Sequence, residues 1–426
     1  MIRHRLYSPI VPVLYRAVLA GTDRRGVRIM AETGEKLVAV ARCDTYERDE
    51  VFAAMKRAVD LCGGIGTFVT LGETILVKPN LLQGLAPDRC VTTHPEVVRA
   101  VVRLLIEHGC RVIIADSPAA AIPYTESSLK RAYAGAGYDL VAQDLGAELN
   151  TDTSYTIVPA PAGAAVRQLA IINPALSADA IVVVSKLKTH MWTCMSGGAK
   201  NLFGLVPGLE KLSLHARFPD EDSFGRMLVD INVLAKPRLQ VMDAVFGMEG
   251  NGPTSGSPRK IGVILASADY SALDATAARL IGIDPMEVCT ITAAAERGLY
   301  AADGSGIRLV GDDLAQFVVP DYKKPASYQG VGRGMKHSAI LLLMQAVGRW
   351  YVPRPEIDAS RCKTCRKCES GCPMGAITMA GSIPRIDRKK CILCYCCHEM
   401  CTDQAIRLKR SCAGRMMAWV MRMNGG

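Results

Sequence analysis

The sequence predicts an α/β protein in two parts: a large domain with a mainly parallel sheet and helices on both faces, and a small α+β domain rich in cysteine. Short apolar runs alternate with segments of helical periodicity over residues 37–330, as in β-α-β units. Beyond residue 354 the sequence repeats itself, and nine of the sixteen cysteines lie between Cys362 and Cys401. At 426 residues, 49% hydrophobic and 22% charged, the chain is globular and long enough for two or three domains.

The apolar runs of the large domain give six candidate strands and four candidate helices. Buried strands that alternate with helices predict helical layers packed on a mainly parallel sheet. The candidate strands are Leu37–Ala41, Thr74–Val77, Arg111–Ala115, Ala180–Val184, Gln240–Ala244 and Gly262–Ala266. The candidate helices are Glu50–Leu61, Pro95–His108, Glu126–Ala136 and Ala272–Ile281.

The ends of the chain and the connection between the domains differ from the rest in composition. Residues 1–36 form a basic extension, and Arg16 interrupts its apolar run, so it fits a secretory signal poorly. Two interpretations stay open: a start at Met30, or a flexible basic arm. Residues 331–353 predict a linker and a helix, residues 354–411 the small domain, and residues 412–426 a tail.

The charge and the apolar runs exclude several classes of protein. The formal net charge is +10, but no nucleic-acid module or aromatic-interleaved basic stripe is present, so we expect no nucleic-acid partner. The longest apolar stretch is far shorter than the ~20 residues of a membrane helix, so we expect no membrane span. The cysteine spacing is that of metal ligands and not of disulfides, which predicts a reducing, cytoplasmic location.

The small domain contains the run C-x2-C-x2-C-x3-C twice, 29 residues apart. The first cysteine loop holds Cys362, Cys365, Cys368 and Cys372, and the second holds Cys391, Cys394, Cys397 and Cys401. Each loop lies between Ile-Asp and an apolar tail, which predicts strand, loop, short helix and strand, twice over. This run binds [4Fe–4S] clusters in bacterial ferredoxins. Zinc is the alternative, but a zinc site does not need the duplicated run.

The segment resembles the two-cluster bacterial ferredoxin domain, in which the fourth cysteine of each run ligates the other cluster. On this basis we expect two [4Fe–4S] clusters. The first would bind Cys362, Cys365, Cys368 and Cys401, and the second Cys391, Cys394, Cys397 and Cys372. Cys396 is an extra thiol that competes with Cys397 as a ligand, and the register of the first loop favours Cys397.

Polar motifs follow the predicted strands of the large domain, where α/β proteins collect their ligands. Four lysines and glycine-rich backbone amides there can hold a carboxylate or a phosphate, although such lysines are also common as solvated loop residues. The candidate catalytic residues are His190, Lys200 and Lys188. The candidate binding residues are Lys78, Asn80, Lys186, Gly197 and Gly198.

These motifs, with Ala272-Leu273-Asp274 and Gly282-Ile283-Asp284-Pro285, resemble the domain of unknown function 362 family, whose members often carry a ferredoxin module. The resemblance covers almost the whole large domain and implies a fold but little biochemistry. The shorter segment from His190 to Lys200 resembles the catalytic domain of lactate racemase. This resemblance implies that Lys200 tethers a nickel pincer cofactor and that His215 binds the metal.

Three functional hypotheses follow. In the first, the protein is an oxidoreductase that takes electrons from a redox partner protein or reductase and delivers them to an anionic small molecule or cofactor in the large domain. In the second, it is a non-catalytic electron-transfer or assembly subunit. In the third, it is a racemase-like, non-redox enzyme whose clusters are structural or sensing.

Overall fold

Two stretches of the chain are described by the computed structural model: residues 35–328 and 354–409, except residues 120, 121, 162, 209 and 382. The predicted basic extension before residue 35, the linker and helix at 331–353 and the tail at 412–426 lie outside the described residues.

The large domain alternates strands and helices as the sequence predicts. Its strands are β1 (Lys36–Arg42), β2 (Thr74–Pro79), β3 (Arg111–Ile114), β4 (Glu148–Leu149), β5 (Tyr155–Pro159), β6 (Gln168–Ile172), β7 (Ala180–His190), β8 (Cys194–Ser196), β9 (Leu239–Glu249), β10 (Ser257–Ser267) and β11 (Ile307–Gly311). Its helices are α1 (Arg48–Leu61), α2 (Pro95–Glu107), α3 (Glu126–Ala136), α4 (Tyr138–Leu145), α5 (Asn173–Ser177), α6 (Gly198–Asn201), α7 (Glu210–Arg217), α8 (Glu221–Ala235), α9 (Tyr270–Leu280) and α10 (Cys289–Glu296).

Nine of these strands form one sheet in the order β11-β1-β10-β9-β7-β2-β3-β4, with β8 paired to β7. Five of its eight pairings are parallel, which confirms the mainly parallel sheet. Strand β10 is antiparallel to both neighbours, because it follows β9 through the short turn at residues 250–256, and antiparallel strands alone can be joined so tightly.

Both faces of the sheet are covered by helices, again as predicted. Val182 and Val184 of β7 belong to the core formed with α1 to α4, whereas Ile181 and Val183 belong to the core formed with α8. Successive side chains of a strand point to opposite faces, so a run of apolar residues supplies both cores at once.

Strand β7 is longer than the sequence indicates. The apolar run ends at Val184, but the strand continues to His190, and the whole of it is buried. Strand β9 pairs with it as far as Lys186 and again at Lys188, and β8 pairs with residues 188–190. Residues 185–190, which we expected to follow the strand, therefore belong to it, and their polar side chains need buried partners.

The small domain contains strands β12 (Arg354–Ile357), β13 (Ile377–Ala380), β14 (Ile383–Ile386) and β15 (Ile406–Lys409), with helices α11 (Lys367–Ser370) and α12 (Cys396–Met400). The predicted order of strand, loop, short helix and strand is confirmed in both repeats. The outer strands β12 and β15 pair with each other, and so do the inner strands β13 and β14. Each repeat therefore pairs with the other one and not with itself.

The described helices do not reach the combination of length and apolar character that crossing a membrane requires.

Candidate functional site

Both cysteine loops contain two non-glycine residues in the left-handed conformation, at equivalent positions. The φ angles are 52° at Thr364 and 60° at Arg366 in the first loop, and 58° at both Leu393 and Tyr395 in the second. Left-handed backbone costs a residue with a side chain about 1–2 kcal/mol, so its recurrence in register indicates a functional constraint. Successive N–H groups in such a backbone form a nest that binds anionic iron–sulfur clusters.

The first group of thiols joins three cysteines of the first loop to the last cysteine of the second. Burial, together with the neighbouring Cys365, Cys401 and Cys362, raises the pKa of the Cys368 thiol to about 11. These side chains are therefore close enough to repel each other as thiolates. Iron removes that repulsion when it binds deprotonated cysteines, so this group fits the residues proposed for the first cluster.

The second group of thiols shows the reciprocal arrangement. Burial raises the pKa of Cys397, and its neighbours Cys394, Cys391 and Cys372 add to the effect. The same four cysteines line one small cavity of the small domain. This cavity, lined by the four residues proposed for the second cluster, fits a group ligated by both repeats.

Neither group is a site for one metal ion. In the two described stretches, no three His, Cys, Asp or Glu side chains converge closely enough to hold a single ion. A cubane instead places one thiolate on each of four irons, so this finding concerns single ions alone.

The two loops differ in exposure. Cys365 of the first loop is exposed, whereas Cys394 and Cys397 of the second are buried. Tyr395 and Met400 pack into the large-domain core that also contains Trp192 and Phe203. The second loop is therefore held against the large domain.

Hydrogen bonds fix this junction between the domains. The carbonyl oxygen of Glu399 accepts from the side chains of Gln83 (2.8 Å) and Thr254 (2.9 Å). Nε2 of His398 lies 3.4 Å from the carbonyl oxygen of Asn251. Because several of these groups are buried, their pairing defines the docking geometry of helix α12.

His190 faces Glu399 across the junction, with 3.0 Å between Nε2 and Oε1. Neither atom has another hydrogen-bond partner among the described residues. Nδ1 of His190 accepts from the N–H groups of Trp192 (3.1 Å) and Thr193 (3.2 Å), which leaves the ring proton on Nε2. Burial lowers the pKa of His190 to about 4, so the ring is neutral at pH 7. Burial alone would raise the pKa of Glu399, but His190 and Lys200 lower it to about 2.

A cavity of about 80 Å³ lies at this junction, which we call the interface cavity. The small domain contributes Cys396, Glu399 and Met400 to its wall. The large domain contributes Asn80, Leu82, Asp116, Ser117, Ala119, Lys188, Ser196, Lys200, Asn201, Phe203, Gly204, Lys211, Leu212, His215 and Pro253. One water occupies about 10–15 Å³ of such volume, so there is room for a molecule of a few heavy atoms.

Lys188 reaches the interface cavity from strand β7. Its Nζ donates to Asn80 Oδ1 and to the carbonyl oxygen of Val91, both at 2.6 Å. Burial, and then the nearby Lys200, lower the pKa of Lys188 well below its usual value. An anion bound in the cavity would favour the charged ammonium, because an opposite charge offsets both effects.

Lys211 is a second buried amine in the wall. Its Nζ donates to the carbonyl oxygens of Ser117 (3.0 Å) and Pro118 (2.8 Å) and to Oγ of Ser117 (2.7 Å). Burial lowers the pKa of Lys211 to about 7. A group with this pKa can both give and take a proton at neutral pH.

Lys200 lies on the short helix α6, whose start is held by Asp274. The carboxylate of Asp274 accepts from the N–H groups of Gly198 (2.6 Å) and Ala199 (3.1 Å). A Cβ on Gly197 would lie 2.2 Å from Oδ1 of Asp274, so only glycine permits this approach. Of the two glycines that the sequence suggested for a ligand, Gly198 thus gives its amide to the protein's own carboxylate, and Gly197 packs against that carboxylate.

Two of the predicted binding lysines are used in buried ion pairs. Lys78 Nζ lies 2.9 Å from Asp116 Oδ2, and Lys186 Nζ lies 2.9 Å from Asp243 Oδ2. Neither lysine lines the interface cavity. The alternative of solvated loop lysines is wrong for both and for Lys188, since all three are at most 1% exposed.

Sequence reasoning missed Lys211 and Glu399 as site residues. A signal for Glu399 exists in the repeat, because residues 365–372 read CRKCESGC and residues 394–401 read CYCCHEMC. The second loop has lost its basic residues and gained apolar ones, which indicates a buried face. Lys211 gives no comparable signal, since nothing local distinguishes it from a surface lysine on a helix.

Two parts of the chain match known protein families. Residues 75–279 match the family described as domain of unknown function (DUF362), and residues 354–377 match a 4Fe-4S binding domain. Thylakoid-associated protein sll1697 from Synechocystis sp. is 34% identical over 273 residues, which is 62% of this chain and 80% of that protein.

Two solved structures show weaker likeness. The lactate racemase apoprotein from Thermoanaerobacterium thermosaccharolyticum has a TM-score of 0.35 and 15% identity, covering 56% of this chain and 55% of that one. A structural-genomics protein from Thermotoga maritima has a TM-score of 0.32 and 12% identity, covering 49% of this chain and 52% of that one. The chain thus spans about half the length of each structure, and the nickel cofactor stays a prediction.

The structure brings Lys188, Lys200, Asn80 and His215 together at the interface cavity, with His190 behind Glu399. The family match begins in strand β2 and ends in helix α9, so it includes every large-domain residue named here as lining the cavity. The chain belongs to the DUF362 family and carries a 4Fe-4S binding domain C-terminal to that domain.

Proposed function

We propose that the protein is an iron–sulfur oxidoreductase that moves electrons from a redox partner protein or reductase to a small anion in the interface cavity. One observation carries this proposal. Cys396, which lies between the proposed ligands Cys394 and Cys397, lines the cavity together with Lys188 and Lys200. A molecule bound there would touch the second cysteine loop itself, with no domain movement needed.

The proposal includes two [4Fe–4S] clusters with crossed ligand sets. Two observations support these clusters. The two loops have left-handed residues at matching positions, and Cys401 groups with the first loop while Cys372 groups with the second. When bound, such clusters supply one-electron transfer at low potential. The large domain then has to bind the acceptor, exclude water and handle protons.

The wall of the cavity suits these tasks. Lys200 and Lys188 would hold a carboxylate or phosphate group, because a cation in a site of low polarity binds an anion more strongly than in water. Lys211, with a pKa of about 7, would supply protons that accompany reduction. His190 does not line the cavity, and we assign it a positioning role through Glu399.

The location remains part of the proposal. We propose the cytoplasm, because the cysteine spacing suits metal ligands and a reducing compartment. No specific observation favours the subunit hypothesis or the racemase-like one over the oxidoreductase.

The experiment compares two lysine variants of the anaerobically purified protein. Lys200→Ala removes the proposed anion-binding cation, and Lys56→Ala removes an exposed lysine paired with Asp60 on helix α1. Titration calorimetry with inorganic phosphate and with malonate measures binding. We expect the Lys200 variant to lose at least about tenfold in affinity, with its iron–sulfur absorbance unchanged, and the Lys56 variant to bind as the parent does. Equal binding by both variants, or no binding by the parent, would contradict the assignment of the cavity as the acceptor site.

A further inference from the structure

The two cysteine loops are related by the repeat, but equivalent positions hold basic residues in the first loop and apolar residues in the second. Lys363, Arg366 and Lys367 of the first loop correspond, 29 residues on, to Ile392, Tyr395 and Cys396 of the second. One loop is thus basic where the other is apolar.

The apolar positions of the second loop are covered by the large domain. Ile392, Tyr395 and Cys396 pack in or against the core that contains Trp192 and Phe203. This contact is why those positions are apolar, since a charged side chain there would be buried without a partner.

The equivalent positions of the first loop face outward. Lys363, Arg366 and Lys367 are exposed, and so is Cys365 between them. In the described stretches, Arg366 makes a long ion pair with Glu369 at 3.6 Å, while Lys363 and Lys367 make none. We call these three basic residues with Cys365 the basic face.

Balancing the charge of a cluster does not explain the basic face. The second loop has the same cysteine spacing and the same left-handed residues without any basic residue at the three equivalent positions. If the cluster required those charges, the second loop would need them as well, and more so because it is buried.

We propose that the basic face is the docking surface for an acidic electron-donor protein, a small ferredoxin-like or flavin-containing carrier with carboxylates around its cofactor. This inference rests on the proposed electron-transfer function and adds the chemistry of the partner. The repeat supplies two equivalent faces: the large domain occupies one, and the other is positively charged and exposed among the described residues. Complementary charge steers such an encounter and aligns the two cofactors at short range.

The test compares two double variants, each of which reverses the charge of two lysines. Lys363→Glu/Lys367→Glu alters the basic face, and Lys56→Glu/Lys130→Glu makes the same change at exposed lysines of the large domain. The donor is a reduced, acidic bacterial two-cluster ferredoxin. Stopped-flow absorbance gives its rate of electron transfer at low and high salt, and calorimetry gives its affinity. Photoreduced deazaflavin, which is small, serves as the reference reductant.

We expect the basic-face variant to lose at least about tenfold in both rate and affinity at low salt, and most of its salt dependence. Reduction by deazaflavin and the iron content should stay at parent levels, and the control pair should stay within about twofold. Equal effects of the two pairs would overturn the docking surface. Loss of iron or of deazaflavin reduction in the basic-face variant would overturn it too, since the lysines would then serve the cluster. Failure of deazaflavin to reduce the parent protein would instead contradict the proposed function itself.

Discussion

Asp274 gives the sharpest quantitative prediction, because its carboxylate is buried and holds the helix that carries Lys200. It is 1% exposed and accepts from two backbone N–H groups. Burial raises the pKa of Asp274 from 3.8 to about 7, even though both hydrogen bonds favour the anion.

The raised pKa fixes the sign of a pH effect. Between these two pKa values the folded state holds a proton that the unfolded state has released, so the free energy of unfolding falls as pH rises. About three pKa units correspond to about 4 kcal/mol. The free energy of unfolding should therefore decrease by about 3 kcal/mol between pH 5 and pH 8 through the titration of Asp274.

The perturbation is Asp274→Asn, which keeps the size of the side chain and removes its titration. At pH 5 the variant should be less stable than the parent by about 1–3 kcal/mol, since one N–H group loses its acceptor. At pH 8 that difference should shrink or reverse, because the parent then buries a charge and the variant does not.

Urea unfolding of the anaerobic protein, followed by circular dichroism and by fluorescence, measures the difference at both pH values. Thr276→Val, on the same helix α9, changes a buried hydroxyl that donates to the carbonyl oxygen of Ala272 (2.8 Å) but no titratable group. Its stability difference should be the same at pH 5 and pH 8. If the Asp274→Asn difference is also independent of pH, the reasoning about its burial is refuted.

Two further predictions concern the buried pair in the sheet and the extra thiol. Lys186→Met should destabilise the protein by about 3–5 kcal/mol, because it leaves Asp243 buried without its cation. The double variant Lys186→Met/Asp243→Asn removes the unpaired charge and keeps an acceptor oxygen for the N–H group of His94. It should recover part of that loss in urea unfolding, and no recovery would mean that the unpaired charge is not the source of the effect. Cys396→Ser should keep the iron and sulfide content of the parent, and a loss would make Cys396 a ligand in place of Cys397.

The order of elements could be predicted from the sequence because local patterns determine it. Helix Glu126–Ala136 agrees with its prediction at both ends, where Thr125 caps the start and Gly137 ends it in the left-handed conformation. The strand that begins at Ala180 was predicted too short, since the apolar run ends before the strand does. The strand continues because it pairs with β8 and β9. A local sequence pattern does not contain such pairings between separate segments of the chain.

The candidate site could be predicted only in part, for a related reason. Lys188 and Lys200 follow a recognisable motif, but which lysines face a cavity depends on which carboxylates pair with the others. Lys186 is taken by Asp243, a residue 57 positions away. Glu399 comes from the other domain, and only the loss of charge in the second cysteine loop hints at it.

The most direct test of the account is an electron paramagnetic resonance measurement on reduced protein, with and without malonate. Samples are the parent, Cys401→Ser and Cys372→Ser, which remove one proposed ligand from the first and the second cluster. We expect two cluster signals in the parent, of which malonate changes one. That signal should persist in Cys401→Ser and be altered or lost in Cys372→Ser. A single signal in the parent, no response to malonate, or a response that survives unaltered in Cys372→Ser would contradict it.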